Sequence, residues 1–230
     1  MTPVVIFCGG RGLRLHPLTE KRPKPLLPVG DKAILELIIE EYGRQGFKKF
    51  WLAVNYKADL IKEYFGDGSS RGLKIKYLEE DRPLGTGGAL NMLPVFKVPF
   101  IITNADVLVT PPLSYGHLME FHARAECLAT VCMGLHQQQV PFGVVDHEEG
   151  RLIAIREKPI ENFSVNAGLY VLEPDALQYA PPGRFDLPDL IANLPKEGVR
   201  AGAAVYPIRG HWQDIGHFEN LAKVMAARMT

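Results

Sequence analysis

The 230-residue sequence has little cysteine, no net charge and no long hydrophobic run, and each absence excludes a class of protein. Only three cysteines occur, Cys8, Cys127 and Cys132, and their irregular spacing argues against a disulfide framework or a zinc site. Twenty-six Lys plus Arg balance 26 Asp plus Glu, so no global charge draws the chain to nucleic acid or to an anionic membrane. No stretch approaches the roughly 20 apolar residues of a membrane span, and the run from Pro3 to Cys8 is too short for a signal peptide. We expect a cytoplasmic protein whose charged functions are local.

Short apolar strands alternate with segments of helical period through the first half of the chain. Val4–Cys8, Phe50–Val54, Leu73–Leu78 and Phe100–Thr103 are apolar on both faces, as is typical of buried parallel strands. Amphipathic helices are predicted between them, one of them along the apolar stripe from Ile34 to Tyr42. This alternation predicts an α/β fold built from strand–helix–strand crossovers.

After about residue 112 the rhythm changes, and the later strands are expected to join the sheet in antiparallel fashion. The predicted elements are a helix at Ser114–Glu126, strands at Ala129–Gly134, Val144–Asp146, Leu152–Arg156, Val165–Leu172 and Ala203–Ile208, a short helix at Leu187–Leu194 and a closing helix at Phe218–Arg228. No linker separates two domains, so a single domain over residues 1–230 is expected.

The first strand leads into a glycine-rich and then proline-rich loop with a local excess of positive charge. Gly9, Gly10 and Gly12 allow backbone N–H groups to point at an anion, and five Lys or Arg with one acidic residue lie between Gly9 and Gly30. Because ligands of α/β proteins bind at the carboxyl edge of the sheet, the loop predicts a phosphate site. A Walker A loop is excluded, since no Gly-Lys pair occurs, and four prolines between residues 17 and 28 disfavour a dinucleotide-binding turn, which opens directly into a helix.

Six motifs follow one another along the chain. They are the loop from Gly9 to Val29, Leu84-Gly85-Thr86-Gly87-Gly88-Ala89, Asn104-Ala105-Asp106, Glu157-Lys158-Pro159, Val165-Asn166-Ala167-Gly168 and Trp212-x-Asp214-Ile215-Gly216. In this order they closely resemble the sugar-1-phosphate nucleotidyltransferase family, and within it the guanylyltransferases of legionaminic acid and glycero-manno-heptose pathways. The chain shows neither the CBS modules nor the hexapeptide repeats that some relatives carry, and Leu13 replaces a threonine that is usual in the family.

Together with the alternating elements, the resemblance implies a Rossmann-like three-layer α/β/α sandwich with a mixed, mostly parallel sheet. Residues 1–112 would bind the nucleotide and residues 113–230 the sugar phosphate. The implied reaction converts a nucleoside triphosphate and a sugar 1-phosphate to a nucleotide sugar and pyrophosphate, with GTP and an aminosugar, mannose or heptose 1-phosphate as the favoured pair. Two alternatives stay open, a uridylyltransferase acting on a hexosamine or muramic acid 1-phosphate and a catalytically weak nucleotide-sensing homologue. A glycosyltransferase, whose D-x-D motif Asn104-x-Asp106 matches imperfectly, would lack the cationic loop.

The resemblance also implies roles for individual residues. Arg14 and Lys24 are the expected catalytic cations, and Asp106 and Asp214 are the expected Mg²⁺ ligands, since magnesium prefers oxygen. The nucleotide is expected at Gly9, Gly10, Gly12, Leu13, Glu80, Gly85, Thr86 and Gly88, and the sugar phosphate at Gly143, Glu157, Lys158 and Asn166. In this scheme Glu80 accepts N–H groups of guanine or uracil, and the glycines at 85, 87 and 88 leave room beneath the base. The expected partners are these two substrates, without nucleic acid or membrane, and a homo-oligomer stays open.

Overall fold

The computed structural model describes residues 1–216, 218 and 220–222, without the side chain of His211. The strands are β1 (Val4–Phe7), β2 (Pro28–Val29), β3 (Lys32–Ala33), β4 (Lys49–Val54), β5 (Lys74–Glu79), β6 (Phe100–Asn104), β7 (Val107–Thr110), β8 (Ala129–Gln139), β9 (Val144–Glu148), β10 (Arg151–Arg156), β11 (Ile160–Leu172), β12 (Ala203–Pro207) and β13 (His211–Asp214). The helices are α1 (Ile34–Arg44), α2 (Ala58–Phe65), α3 (Gly85–Gly88), α4 (Tyr115–Ala125) and α5 (Leu187–Ala192). Of the closing helix predicted at Phe218–Arg228, residues 218 and 220–222 are helical, and the rest lies outside the described residues.

A seven-stranded sheet with the order β12-β8-β11-β6-β1-β4-β5 forms the centre of the molecule. The four strands predicted in the first half, β1, β4, β5 and β6, pair in parallel, with β1 between β4 and β6. The side chains of β1, β4 and β6 are buried on both faces because both sides of the sheet are covered, whereas the edge strand β5 alternates between buried and exposed residues and so differs from the expectation. The predicted α/β fold is therefore confirmed.

The second half of the chain extends this sheet in a less uniform way than the sequence suggests. β11 is the antiparallel addition, since it pairs antiparallel with both β6 and β8. The last strand of the sheet, β12, differs from the expectation because it pairs parallel with β8. The apolar pattern predicts a strand at β12 but carries no information about the direction of that strand in the sheet. The path of the chain between α5 and β12 sets the direction.

Alternate residues of the central strands enter two separate cores. Ile6 and Leu52 belong to a core that also takes the buried face of α1, whereas Val5 and Trp51 belong to a core completed by residues around Phe185 and α5. One core on each face of the sheet produces the predicted three layers.

Beside the central sheet, the described residues form three two-stranded sheets, β2–β3, β7–β13 and β9–β10. The β7–β13 pair carries residues 211–214 back beside residues 107–110, a pairing that the sequence did not predict. The β9–β10 pair, which we call the arm, consists of half-buried to exposed residues. Within the described part of the chain, no helix is both long and apolar enough to span a membrane.

Candidate active site

Loops that follow β1, β5 and β6 enclose a cavity of about 340 Å³ at the carboxyl edge of the parallel strands. Because these strands run in the same direction, the loops emerge together at this edge. The cavity is lined by Phe7, Cys8, Gly9, Gly10, Arg14, Lys24, Pro25, Ala53, Glu80, Pro83, Leu84, Gly85, Thr86, Asn104, Ala105, Asp106 and Asp186. Eight of the residues singled out from the sequence are among them, namely Gly9, Gly10, Arg14, Lys24, Glu80, Gly85, Thr86 and Asp106.

The basic loop after β1 folds back on itself through contacts among Gly12, Thr19 and Lys24. Gly12 has a φ of +63°, and a Cβ at this position would lie 2.8 Å from Cγ2 of Thr19 and 3.2 Å from Cβ of Lys24. The Thr19 hydroxyl donates to the Gly12 carbonyl at 3.0 Å, and Leu15 anchors the loop in the core. These contacts require glycine at position 12 for the packing of the loop itself.

The ammonium group of Lys24 forms an ion pair with the buried carboxylate of Asp106, which follows β6. Burial raises the pKa of Asp106, the Lys24 charge opposes this, and the neighbouring Asp214 carboxyl raises the pKa further. The buried Asp106 and the half-buried Asp214 repel each other when both are ionised, and a neighbouring cation offsets that repulsion. Lys24 provides that cation in this structure.

Asp214 reaches the same point from the other end of the sequence. The β7–β13 pairing brings it beside Asp106, and the Ile215 N–H donates to the Asp106 carbonyl at 2.9 Å. The Gly216 N–H donates to Oδ1 of Asp214 at 2.6 Å. A Cβ at Gly216 would lie 3.4 Å from Nη2 of Arg14, so the guanidinium group lies at this end of the site as well. Two cations of the basic loop and two carboxylates thus converge from three distant segments of the chain.

The donor set fits a magnesium ion better than a transition metal. Within the described residues, no three His, Cys, Asp or Glu side chains form a metal-type cluster. Mg²⁺ is commonly held by one or two carboxylates and completes its octahedron with water and substrate phosphate oxygens. Asp106 and Asp214 match that requirement, whereas a closed zinc site needs four protein ligands.

Glu80, which follows β5, contributes a buried carboxylate to the cavity. Its Oε1 atom has no hydrogen-bond partner in the described structure, and a Cβ at Gly9 would lie 3.0 Å from its Oε2. Burial raises the pKa of Glu80, and a backbone hydrogen bond at Leu84 partly opposes the shift. Because an unpaired buried carboxylate oxygen is costly, this atom is an acceptor for a donor from outside the protein.

The turn around residues 84–88 packs tightly against the loop that precedes α5. A Cβ at Gly85 would lie 2.3 Å from the Phe185 carbonyl oxygen, and one at Gly87 would lie 2.2 Å from the Phe185 ring. At Gly88 it would lie 2.4 Å from Cβ of Leu84. Glycine is therefore required here because protein atoms lie too close for a Cβ. The sequence analysis had a different reason, namely space beneath a nucleobase.

Asp186 is a cavity residue that the sequence analysis missed. Its Oδ1 accepts the Thr86 N–H at 2.8 Å and the Thr86 hydroxyl at 3.1 Å, and the same hydroxyl accepts the Leu187 N–H at 3.0 Å. The run Asp186-Leu187-Pro188-Asp189 is a typical helix N-terminus, with an N-cap residue, a proline and an acidic residue. That signal could have predicted the cap, but not that the cap lies at the cavity.

A second cavity of about 330 Å³ adjoins the first. The two share Phe7, Thr86, Asn104, Asp106 and Asp186, and the second is completed by Val107, Asn166, Ala167, Gly168, Tyr170, Leu187, Pro188, Trp212 and Asp214. Asn166 is fixed locally, since its amide donates to the Tyr170 hydroxyl and its Oδ1 accepts the Gly168 N–H at 3.1 Å. The Asp106 carboxylate therefore lies where the two cavities meet.

Seven residues singled out from the sequence lie outside the lining of both cavities, namely Gly12, Leu13, Gly87, Gly88, Gly143, Glu157 and Lys158. The Leu13 side chain is 69% exposed. Glu157 and Lys158 are exposed at the end of the arm, and a Cβ at Gly143 would lie 3.0 Å from Oε2 of Glu157. These three arm residues are thus near one another, but the structure does not bring them to Asp106.

This combination of fold and site is found in a known family. The chain belongs to the nucleotidyl transferase family, whose model matches residues 3–229.

Individual relatives agree with this assignment. The chain is 34% identical to D-glycero-alpha-D-manno-heptose 1-phosphate guanylyltransferase of Campylobacter jejuni, over 92% of this chain and 93% of the relative. It is 30% identical to mannose-1-phosphate guanyltransferase of Yarrowia lipolytica, over 92% of this chain and 60% of the relative. The chain spans only half to three fifths of the length of several curated relatives that it matches. Among solved structures, HddC from Yersinia pseudotuberculosis superposes with a TM-score of 0.75 at 25% identity, covering 99% of this chain and 100% of that one.

Proposed function

We propose that this protein is a sugar-1-phosphate nucleotidyltransferase that joins a nucleoside triphosphate, preferably GTP, to a sugar 1-phosphate. The observation that carries the proposal is the convergence of Arg14, Lys24, Asp106 and Asp214 at the junction of two adjoining cavities. A reaction between two phosphorylated substrates needs charge neutralisation and in-line positioning more than a protein nucleophile. Two cavities that meet at such a cluster suit this reaction.

In the proposed reaction, an oxygen of the sugar 1-phosphate attacks the α-phosphorus, and the bond from that phosphorus to the bridging oxygen of the β-phosphate breaks. Pyrophosphate leaves with the electron pair of that bond. Arg14, with its planar array of donors, would neutralise the departing pyrophosphate, and Lys24 would neutralise the α-phosphate and the incoming phosphate. A magnesium ion held by Asp106 and Asp214 would supply further charge neutralisation when bound.

Glu80 supports the preference for guanine. A buried carboxylate can accept two parallel hydrogen bonds from N1–H and N2–H of guanine, and its Oε1 atom lacks a protein donor. Its position among the residues that line the first cavity suits contact with the base of a bound nucleotide.

The sugar 1-phosphate is assigned to the second cavity, where Asn166 offers a hydroxyl-binding amide. Nine of the fourteen residues that line this cavity come from residues 113–230, which accords with the proposed division into a nucleotide part and a sugar-phosphate part. Gly143, Glu157 and Lys158 keep their proposed roles at the sugar phosphate, which require that the arm approach the second cavity during binding.

The test is pyrophosphate release from GTP, UTP, CTP, ATP and dTTP, each combined with glucosamine, mannose, glucose, heptose and muramic acid 1-phosphates, with and without Mg²⁺. We expect release that needs magnesium, one base and one sugar together. Absence of release from every pair by a folded, nucleotide-binding protein would contradict the proposal. It would favour the nucleotide-sensing alternative, which Leu13, in place of the threonine usual in the family, also favours.

A uridylyltransferase acting on a hexosamine or muramic acid 1-phosphate is the second candidate. The observation in its favour is again Glu80, because a carboxylate can also accept the single N3–H of uracil. A carboxylate can accept two donors from guanine but only one from uracil, and two relatives of the chain are guanylyltransferases, so we propose GTP as the preferred substrate. The cytoplasmic location stays a prediction from the sequence.

A further inference from the structure

The turn between β4 and α2 contacts Glu80, which lines the first cavity, and the outer segment of the basic loop through three consecutive side chains. The Asn55 amide donates to the Glu80 carbonyl at 2.6 Å. The Tyr56 hydroxyl donates to the Thr19 carbonyl at 3.3 Å. The next residue, Lys57, donates from Nζ to two further carbonyls of the basic loop, at 2.7 Å to residue 20 and at 3.2 Å to residue 21. None of these three residues has a role in the mechanism described above.

The part of the basic loop that these side chains hold is mostly exposed, and two local backbone hydrogen bonds, from Leu18 to Leu15 and from Glu20 to Pro17, shape it from within. Of residues 16–22, only Thr19 is buried. Its side chain links the outer segment to the inner one, since its hydroxyl bonds to the Gly12 carbonyl and its methyl group fills the space beside the Gly12 Cα. Arg14 follows Gly12 by two residues, and the Lys24 Cβ packs at the same point. A displacement of residues 19–21 would therefore be transmitted to both cations.

Lys57 itself adopts a backbone conformation that lysine rarely takes, with φ 54° and ψ 40°. A non-glycine residue in this left-handed region persists where surrounding contacts hold it there. The Lys57 ammonium also lies 5.4 Å from the centre of the Tyr56 ring, which favours a common orientation of the two side chains. The conformation directs the ammonium group towards the loop carbonyls.

We propose that Tyr56 and Lys57 are positioning residues that hold the basic loop in the form that binds the triphosphate. They act through the carbonyl groups of residues 19–21 and contact no substrate. The inference rests on the proposed function for its kinetic consequence, but the restraint on the loop itself can be measured without any reaction.

The first experiment is limited trypsin digestion of the full chain without nucleotide, with the fragments identified by mass. The loop offers cleavage sites after Arg11, Arg14 and Lys21, whereas Arg22 and Lys24 precede proline and resist trypsin. We expect Lys57→Met to be cut at these sites at least about tenfold faster than the unaltered protein, because its loop loses two restraining hydrogen bonds. Lys62→Met is the matched control, since Lys62 lies on α2 and pairs with the exposed Glu79. Equal cleavage of the two variants would overturn the proposal.

The second experiment separates positioning from general stability by steady-state kinetics. Lys57→Met should raise the KM for the nucleoside triphosphate about tenfold and change the KM for the sugar 1-phosphate less than twofold. Lys57→Arg, which retains a long cationic donor, should recover most of the loss, and Tyr56→Phe should show a smaller effect of the same kind. Lys57→Gly removes the whole side chain and relieves the strain at this positive φ, and it should behave like Lys57→Met because both lack the ammonium group.

The outcomes are distinguishable. If Lys57→Gly equals the unaltered protein in cleavage and KM, the ammonium has no positioning role and the proposal is wrong. Equal increases in both KM values would likewise contradict it, since they indicate a general structural defect. If the unaltered protein forms no nucleotide sugar but Lys57→Met is still cut faster in the loop, the proposed function fails while the restraint on the loop stands.

Discussion

The first cavity and the arm carry predicted site residues in very different ways. In the first cavity, Glu80 and Asp106 follow strands of the central sheet and are buried, and Lys24 of the basic loop pairs with Asp106. Glu157 and Lys158 project from a two-stranded sheet whose side chains are mostly exposed. A functional group is preorganised where the core fixes its backbone. For a group on an exposed extension, we expect the binding geometry to form when the substrate binds.

Replacing a buried carboxylate should have the largest effect. Asp106→Asn, and separately Asp214→Asn, should lower magnesium-dependent turnover by about 10³-fold, because each removes a charged oxygen ligand where two phosphates react. Pyrophosphate release measures the change, with circular dichroism to verify folding. The same substitution on the arm, Asp146→Asn, should leave turnover within about twofold, since its carboxylate pairs with Arg156. Full activity in both site variants would refute the metal assignment.

Changing the buried Glu80 to glutamine should alter the choice of base. Glu80→Gln should lower kcat/KM for GTP by about 30-fold, because the amide replaces one acceptor with a donor that faces a guanine N–H. Its neighbour Glu79→Gln serves as the control, since Glu79 is exposed and pairs with Lys62. A ratio of GTP to UTP activity that is the same in both variants would contradict a role at the base.

The same residue predicts a pH dependence. Burial raises the pKa of Glu80, so the carboxylate gains a proton as the pH falls and loses acceptor capacity before an exposed glutamate would. The preference for GTP should therefore weaken on the acid side in the unaltered protein and be insensitive to pH in Glu80→Gln. Competition between GTP and UTP over a range of pH measures it.

On the arm, removing one cation should have a smaller effect, and it should change the KM of one substrate only. Lys158→Ala should raise the KM for the sugar 1-phosphate about tenfold and leave the KM for the nucleotide nearly unchanged, since an exposed charge contributes mainly to the substrate that it meets. Arg151→Ala on the same arm is the matched control. An effect on both substrates alike would assign Lys158 elsewhere.

Restoring the threonine that is usual at position 13 should have the smallest effect. Leu13 is 69% exposed and lies outside both cavities, so Leu13→Thr should change turnover less than about threefold. Leu18→Thr in the same loop controls for the loss of exposed apolar surface. A large gain in turnover would show that the loop moves Leu13 towards the phosphates on binding.

The sequence predicted most of the sheet and eight of the residues that line the first cavity, because both depend on local patterns. β1 and β6 are apolar runs that end in chemistry-bearing residues, and parallel strands bring those ends together. The pairing of β13 with β7 and the contact of Asp186 with Thr86 join segments about 100 residues apart, and no local pattern encodes such pairs. The roles of Glu80 and the arm remain predictions, since they depend on ligands.

The most direct test of the central claim follows the phosphorus atoms of GTP during reaction with mannose or heptose 1-phosphate. With label on the α-phosphorus, the label should appear in the nucleotide sugar, and with label on the γ-phosphorus it should appear in pyrophosphate. Release of the γ label as inorganic phosphate, with the α label left in GDP, would contradict transfer at the α-phosphorus and with it the assignment of Lys24, Asp106 and Asp214.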